Sequence, residues 1–217
     1  MDYSVLRQSD LFLGLDDKQI NYALSFFNAK EAYFEKDAFL QHTGGNLKQF
    51  GLVLSGKVEV FMDDIDGNQM LLANVTAGET FGESLCYLQI AEIPVYIRAA
   101  EDCSLLWLDC RSIQQLCNNC NALDFVLTDR FISMLARRTL SMNDRIQILS
   151  KPTLRTKLLT FLSQCEHRYG SKTFSIPFDR SKLAVYLGAN RSAMTRELAA
   201  MKKEGIIDFY RNTFRLL

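Results

Sequence analysis

The hydrophobic periodicity of the chain changes near residue 30, and this change constrains the fold more than any other feature. Residues Ser9–Asn28 carry apolar side chains at roughly helical spacing, which predicts a short helix. After Lys30 the apolar runs become short and rich in β-branched and aromatic residues, and turn signals such as Asp66-Gly67 separate many of them. This spacing predicts a β-sandwich or jelly-roll barrel. The expected strands are Ala38–Gln41, Phe50–Ser55, Val58–Met62, Met70–Val75, Val95–Ala99 and Ser104–Leu108.

The stretch from Asn121 to Leu149 contains neither proline nor glycine, and its apolar residues alternate at spacings of three and four. This pattern is typical of a two-stranded coiled coil, so we expect a long helix that pairs with a second copy of the chain. An amphipathic helix packed on its own barrel is the alternative, but the apolar stripe is narrower than such a helix needs. The residues expected on the dimer seam are Ile132, Leu135, Met142, Ile146 and Leu149.

The segment Ser150–Thr153 ends this pattern and predicts the hinge ahead of a further helix. Serine is a favoured helix N-cap, and proline is tolerated in a first helical turn. We therefore expect Ser150 to cap a new helix that contains Pro152 near its start.

A helix-turn-helix pattern follows in residues 178–198. Asp179 is expected to cap a first helix, Gly188 to form a tight turn and Asn190 to cap a second helix. Ile206–Phe209 and Thr213–Leu217 flank a turn and predict a β-hairpin, or wing. A small helical hairpin on an unrelated strand pair is the alternative, but it does not explain the combination of caps, turn and wing.

Charge is divided unevenly along the chain, although 25 basic and 25 acidic residues give a formal net charge of zero. Residues 1–150 hold 12 basic and 20 acidic residues, a net charge of −8, whereas residues 151–217 hold 13 and 5, a net charge of +8. Small basic domains often bind nothing. At this imbalance, however, we expect an anionic partner for residues 151–217.

Three features resemble the β-roll of cyclic-nucleotide-binding proteins: the run Gly51–Val60, the turn at Gly67 and the segment Ala77–Glu83. The resemblance covers most of Leu6–Asp109. It implies that Gly82 and Glu83 open the phosphate-binding cassette and that the glutamate receives the ribose hydroxyl.

The chain departs from this family about ten residues after Gly82. Family members that bind the nucleotide place an arginine and then a serine or threonine there, whereas this chain has Ile93 and Pro94. A buried phosphate would lose charge-assisted hydrogen bonds worth about 1.5–3 kcal/mol each. We therefore expect an effector other than cyclic AMP, or an empty pocket. The expected pocket residues are Gly82, Glu83, Ile93, Pro94, Tyr96, Met142 and Asn143.

The C-terminal pattern, with Ala184, Gly188, Arg191 and the wing after Gly205, resembles the DNA-binding domain of the cyclic-AMP-receptor/fumarate-nitrate-regulator (Crp/Fnr) family. The resemblance implies that the second helix enters the major groove with its N-terminal end. Ser192 stands where the best-known members have glutamate, so we expect a different half-site. The expected DNA-contacting residues are Arg191, Ser192, Thr195, Arg196, Lys182 and Arg211.

Four of the six cysteines lie close together in sequence: Cys103, Cys110, Cys117 and Cys120. Cys117 and Cys120 form a C-x-x-C pair, a spacing found in metal sites and redox pairs. Family members that hold iron–sulfur clusters place their cysteines near the N-terminus, whereas the first cysteine here is Cys86. The sequence therefore does not favour an iron–sulfur cluster or redox sensing by these cysteines, and a redox role for them stays open.

These patterns together predict an α+β protein in three parts: a cyclic-nucleotide-binding-like β-roll (residues 1–118), a long dimerisation helix (119–149) and a winged helix-turn-helix (150–217). The expected function is that of a homodimeric transcription regulator, not an enzyme, controlled by a small effector. Its expected partners are double-stranded DNA with a palindromic operator and RNA polymerase. Residues Met1–Asp10 lack a secretory pattern and no apolar run suggests a membrane span, so a cytoplasmic protein with reduced thiols is expected.

Two alternatives remain open at this stage. The first is a jelly-roll enzyme with an accessory helical domain, although the predicted barrel has a single histidine, His42, and no histidine cluster that could bind a metal. The second is a constitutive DNA-binding protein whose effector pocket is degenerate.

Overall fold

The two halves of the chain form separate compact units in the computed structural model, which describes residues 3–63, 69–115, 121–176 and 178–217. Contacts divide the chain into residues 1–136 and 137–217. The division falls inside a long helix. The three-part division expected from the sequence therefore stays a prediction, and each unit is described separately.

Two four-stranded antiparallel sheets form the β-roll of the first unit. The first sheet also packs against helices, and the second lies over its other face. In spatial order, the first sheet contains β1 (Lys30–Phe34), β8 (Cys103–Leu108), β3 (Phe50–Ser55) and β6 (Thr80–Phe81), and the second contains β2 (Phe39–Gln41), β7 (Tyr96–Ala99), β4 (Lys57–Asp63) and β5 (Gln69–Thr76).

Strands β4 and β5 pair from Lys57 opposite Thr76 to Asp63 opposite Gln69. The turn predicted at Asp66-Gly67 lies outside the described residues. The register around it is nevertheless the one that a β4–β5 hairpin requires.

The two central strands of the first sheet, β3 and β8, are buried on both faces because their side chains alternate between two apolar clusters. On β8, Leu105 belongs to the cluster between the two sheets, whereas Leu106 and Leu108 belong to the cluster under the helices. On β3, Val53 belongs to the cluster between the sheets and Leu52 to the cluster under the helices. Successive side chains of a strand point to opposite faces, so a continuous apolar run fits only a strand covered on both sides.

The helices of the first unit begin with a 3₁₀ turn at Leu6–Gln8 and α1 at Asp17–Phe26. Asp16 caps α1 and forms a capping box with Gln19, so this helix begins later than the periodicity from Ser9 suggests. Two short helices follow, α2 (Glu83–Tyr87) and α3 (Arg111–Gln114).

The long helix α4 spans Ala122–Leu149. Its first part packs Leu127, Phe131 and Met134 into the cluster under the first sheet. No helix among the described residues is both long enough and apolar enough to span a membrane.

The second unit contains a helix-turn-helix and a three-stranded sheet in the order β10-β11-β9. Its core gathers Leu158, Leu183, Met194 and Phe214 from different elements, together with Ile148 of α4. After α4, the elements of this unit are α5 (Leu154–Tyr169), β9 (Thr173–Ser175), α6 (Arg180–Tyr186), α7 (Arg191–Lys203), β10 (Ile207–Tyr210) and β11 (Thr213–Leu216).

One helix cap differs from the sequence prediction. The side chain of Thr153, not Ser150, accepts the capping hydrogen bond, from the backbone N–H of Thr156, and α5 begins after Pro152. The Ser150 hydroxyl instead donates to the Gln147 carbonyl at the end of α4. Serine is favoured next to either end of a helix break, which is why the sequence alone assigned this cap wrongly.

We expect Gly51→Ala to destabilise the β-roll. A Cβ at Gly51 would lie 2.1 Å from the Phe81 ring, which packs edge-to-face against Trp107. Overpacking of this kind costs about 1–3 kcal/mol. Chemical unfolding followed by the fluorescence of Trp107, the single tryptophan, measures the loss.

Gly45→Ala is the matched control, since the first atom its Cβ would meet is the Nε2 of the Gln41 side chain, at 2.5 Å, which can move away. Equal unfolding midpoints for the two variants would contradict the close packing described between Phe81 and Gly51.

Candidate effector pocket and nucleic-acid interface

Gly82 and Glu83, which the family resemblance assigns to a phosphate-binding cassette, lie at the junction of β6 and α2. Gly82 has a φ of +80°, and a Cβ there would lie 2.3 Å from Leu47 Cδ2. Both the backbone geometry and the close approach of Leu47 therefore require glycine. The Leu47 side chain therefore packs against the backbone at Gly82.

The Glu83 carboxylate is buried and already bonded within the protein. It accepts a hydrogen bond from the Thr80 hydroxyl, which also lies 3.5 Å from Met134 Sδ on α4. A carboxylate with an internal donor does not need a ligand to satisfy it. The same contacts link the cassette to the long helix.

Ile93 lies inside the roll and Pro94 lies on its surface. Ile93 is 1% exposed and belongs to the same apolar cluster as Leu47. Backbone hydrogen bonds join its N–H and carbonyl to the loop at Gly44 and Gly45, at 3.2 and 3.1 Å. The position where the family resemblance implies a phosphate-binding arginine is therefore occupied by an apolar residue buried in the core.

Tyr96 lies on the face of β7 opposite the buried Ile97 and donates a hydrogen bond to Asp63, at 2.9 Å. The structure therefore does not bring Tyr96 together with Gly82 and Ile93. Met142 and Asn143, the remaining predicted pocket residues, are exposed and belong to the second unit.

Arg98 does not supply the missing phosphate ligand. Its Nη2 lies 3.1 Å from the Glu59 carboxylate, and its guanidinium lies 4.9 Å from the centroid of the Phe61 ring. This arginine already has a charged partner and an aromatic surface on the second sheet.

The N-terminal end of α7 presents a polar, basic face. Asn190 caps the helix by accepting hydrogen bonds from the backbone N–H groups of Ser192 and Ala193. Met194, Leu198 and Met201 face the core. The opposite face exposes four residues that the sequence predicted as DNA contacts: Arg191, Ser192, Thr195 and Arg196.

Two arginines of this face are available to a ligand. Within the described residues, neither Arg191 nor Arg196 takes part in an ion pair. The hydroxyl of Thr195 donates to the Arg191 carbonyl one turn earlier, at 2.9 Å, so it has a partner on its own helix.

Arg155 of α5 binds the two glutamates at the C-terminal side of this region. Its guanidinium lies 2.5 Å from Glu197 and donates two hydrogen bonds to Glu204, at 2.7 and 2.8 Å. The hydrogen bonds from Arg155 lower the pKa of the Glu204 carboxyl. Arg155 thus pairs with negative charge that would otherwise repel a nucleic acid, a role that the sequence did not reveal.

Arg180 positions the wing. Its guanidinium lies 5.0 Å from the ring centroids of both Phe209 and Phe214 and donates to the Arg211 carbonyl, at 2.8 Å. Burial lowers the pKa of this arginine. No motif or period in the sequence predicts this role, because the contacting residues are about 30 positions away.

The other two predicted DNA contacts are exposed at separate places in the second unit. Lys182 lies on α6, and Arg211 lies in the wing turn with a φ of +51°. Lys202, by contrast, pairs with Asp208 at 2.6 Å and so holds α7 to the wing.

Of the four cysteines singled out from the sequence, the structure describes Cys103 and Cys110, and these two lie in different apolar clusters. Cys103 is buried between the two sheets, and Cys110 is buried under the first sheet. Cys117 and Cys120 lie outside the described residues. Among the side chains that the structure does describe, no group of three or more could hold a metal ion.

A β-roll joined to a winged helix-turn-helix defines a DNA-binding protein with a cyclic-nucleotide-binding-like domain. The cyclic nucleotide-binding domain family matches residues 31–120, and the Crp-like helix-turn-helix domain family matches residues 156–217. The chain belongs to the Crp/Fnr family of transcription regulators.

Relatives support this assignment along nearly the whole chain. The Cyclic AMP receptor protein of Thermus thermophilus is 29% identical over 203 residues, which are 93% of this chain and 89% of that protein. The solved Catabolite Activator Protein of Thermus thermophilus has a TM-score of 0.54 at 25% identity and covers 96% of this chain and 94% of its own. The c-di-GMP-responsive regulator CLP of Xanthomonas campestris shares the fold, with a TM-score of 0.56, 18% identity and coverages of 93% and 99%.

Proposed function

We propose that the protein is a homodimeric transcription regulator whose β-roll responds to a small effector other than cyclic AMP. The observation that carries the DNA-binding part is the exposed face of α7, where Arg191 and Arg196 lie beside two hydroxyl side chains. An arginine recognises guanine through the N7 and O6 acceptors in the major groove, and hydroxyl groups contact bases or phosphates. This face matches the end of a recognition helix that enters the groove.

The local charge supports the same partner. Residues 151–217 carry a net charge of +8, and Arg155 pairs with Glu197 and Glu204. DNA binding by such a surface releases counterions, so affinity should fall steeply with salt although the whole chain is neutral.

The composition of the roll supports an effector other than cyclic AMP. Ile93 is held in the apolar core, Pro94 has no N–H to donate, and Arg98 is paired with Glu59. A cyclic phosphate placed beside Ile93 would be buried without a cationic partner, which is strongly unfavourable. The name of the Thermus thermophilus relative makes cyclic AMP the ligand to test first.

The exposed apolar residues of α4 support a homodimer. Ile132, Met142, Ile146 and Leu149 are all exposed within one chain and recur at the spacing of a coiled-coil seam, whereas Leu135 is half-buried. Single exposed apolar residues are ordinary, but a row of them along one helix indicates an interface. A two-fold dimer would bind a palindromic operator with half-sites about one helical turn apart. RNA polymerase remains a proposed partner from the family resemblance alone.

One observation favours a second candidate function, a constitutive DNA-binding protein. Leu47 occupies the space at Gly82, and Thr80 already satisfies Glu83, so part of the expected pocket is filled by the protein itself. The comparison that separates the two functions is the operator affinity with and without candidate effectors. A constitutive protein shows the same affinity in every case.

We expect Arg191→Ala to weaken specific DNA binding by about 1–3 kcal/mol, because a bidentate contact to guanine is lost. The operator is first selected from random duplexes with the unmodified protein, and affinity is then measured by fluorescence anisotropy at several salt concentrations. Lys203→Ala, which removes one positive charge at the opposite end of α7, is the control. Equal losses for the two variants would show that charge alone, and not the N-terminal face of α7, carries recognition.

We expect no saturable binding of cyclic AMP in isothermal titration calorimetry, even at millimolar nucleotide. The double variant Ile93→Arg/Pro94→Ser restores the missing ligand types and should bind more tightly than the unmodified protein, provided that Trp107 fluorescence shows an intact roll. The Thermus thermophilus relative serves as the comparison protein. Micromolar binding to the unmodified chain would overturn this part of the proposal.

We expect Ile146→Asp to shift the protein from dimer to monomer, since it places a carboxylate on each side of the apolar seam. A tenfold weaker association corresponds to about 1.4 kcal/mol. Light scattering after size-exclusion chromatography at several concentrations measures the change. Ser141→Asp adds the same charge at an exposed position on another face of α4 and should remain dimeric. Identical masses for the two variants would argue against this seam.

A further inference from the structure

Two buried thiols that the sequence did not pair lie together at the wall of one cavity. Cys86 of α2 is 4% exposed, and Cys110, which directly precedes α3, is 2% exposed. The Cys86 thiol donates a hydrogen bond to the Lys48 carbonyl, at 3.3 Å, and hydrogen bonding with the Cys110 side chain shifts its pKa. Both residues line a cavity of about 420 Å³ on the helix side of the first sheet.

We propose that Cys86 and Cys110 form an oxidisable dithiol site that reacts with a small hydroperoxide and closes to a disulfide. Neither cysteine belongs to the effector pocket or to the DNA-binding face. The proposal therefore stands whether or not the proposed function is correct.

The surroundings assign different roles to the two sulfur atoms. The hydrogen bond from Cys110 lowers the pKa of the Cys86 thiol, whereas the hydrogen bond to Cys86, together with burial, raises the pKa of Cys110. Within the proposal, Cys86 is assigned as the attacking sulfur and Cys110 as the resolving one, and the single variants described below test this order.

The cavity gives a small oxidant access to these thiols. Lys30, Lys48 and Arg111 line it, and Asp109 is the acidic residue among the same lining groups. Asp109 is paired with Arg111 but still raises the pKa of both thiols, so this carboxylate disfavours a thiolate. The two lysines on the cavity wall are placed to neutralise the alkoxide or hydroxide that leaves the peroxide.

The reaction balances in two steps. The Cys86 thiolate attacks one peroxide oxygen, the O–O bond breaks, and the product is Cys86 sulfenic acid with an alkoxide or hydroxide that takes a proton from water. The Cys110 thiol then attacks the sulfenic sulfur, forming the S–S bond and releasing water from the hydroxyl group and the Cys110 proton. Two thiols lose two electrons, and one hydroperoxide is reduced to an alcohol or water and a second water.

The other buried thiols of the described residues differ from this pair. Burial raises the pKa of Cys103 and of Cys165, and neither lines the cavity. These two cysteines are therefore internal controls for reactivity.

The bond would connect α2 to the start of α3. Because α2 begins at Glu83, oxidation would act on the segment that also carries the phosphate-binding cassette. Formation of the disulfide would thus change the same segment that an effector would contact.

The test uses the full-length protein with Cys117→Ser and Cys120→Ser, so that these two cysteines cannot react. The reduced protein is treated with stoichiometric hydrogen peroxide, digested under alkylation and mapped by mass spectrometry. We expect a peptide pair linked through Cys86 and Cys110, and an intact mass lower by two hydrogen atoms.

Single variants separate the roles. With Cys110→Ser, the reaction should stop at Cys86 sulfenic acid, which dimedone labels, whereas Cys86→Ser should leave Cys110 unlabelled. Cys103→Ser should form the disulfide like its parent. Cys86→Ala and Cys110→Ala are tested in parallel, in case serine destabilises the buried site. Circular dichroism checks that every variant is folded. Labelling at Cys103 or Cys165 equal to that at Cys86, or no Cys86–Cys110 link, would overturn the proposal.

Discussion

The double burial of the first sheet is the constraint on which the first unit depends. Leu105 faces the second sheet, and Leu106 faces the helices, so one strand contributes to two apolar clusters. Burial of apolar area on both faces, at about 25 cal/mol per Å², stabilises β3 and β8. The close contact of Gly51 with Phe81 exists because the space between the sheets is filled. The cassette at Gly82 follows directly from β6, an edge strand of this same sheet.

Local patterns allowed much of the fold to be predicted, because the interactions that set them are close in sequence. Asp179 and Asn190 cap the helices expected of them, and Gly188 has the positive φ that the turn needs. Long-range pairings could not be predicted. The contacts of Arg155 with Glu204 and of Cys86 with Cys110 join residues 49 and 24 positions apart, and no period or motif encodes either pair.

The predicted effector pocket also shows that sequence spacing alone does not determine which residues lie together. Alignment with a family motif placed Ile93 and Tyr96 at one site, yet the strand pleat sends Tyr96 to the opposite face of β7 from the core. Sequence spacing alone does not determine which face a residue occupies when a loop precedes the strand. The prediction for Ile93 required only that this apolar residue be buried, and it is buried. The prediction that all seven pocket residues lie together required the positions of several separate elements.

The neutral total charge conceals an arrangement that matters for binding. The field at a surface depends on charges within about 8 Å at physiological salt, so a whole-chain total of zero does not describe the field of residues 151–217, which carry a net charge of +8. Within the second unit, Arg155 neutralises Glu197 and Glu204, while Arg191 and Arg196 lie on a face that exposes no carboxylate. Because Glu197 and Glu204 are paired with Arg155, they compete less with DNA phosphates for the exposed arginines. The basic face is therefore a product of the fold as much as of composition, and a count of charges along the sequence underestimates it.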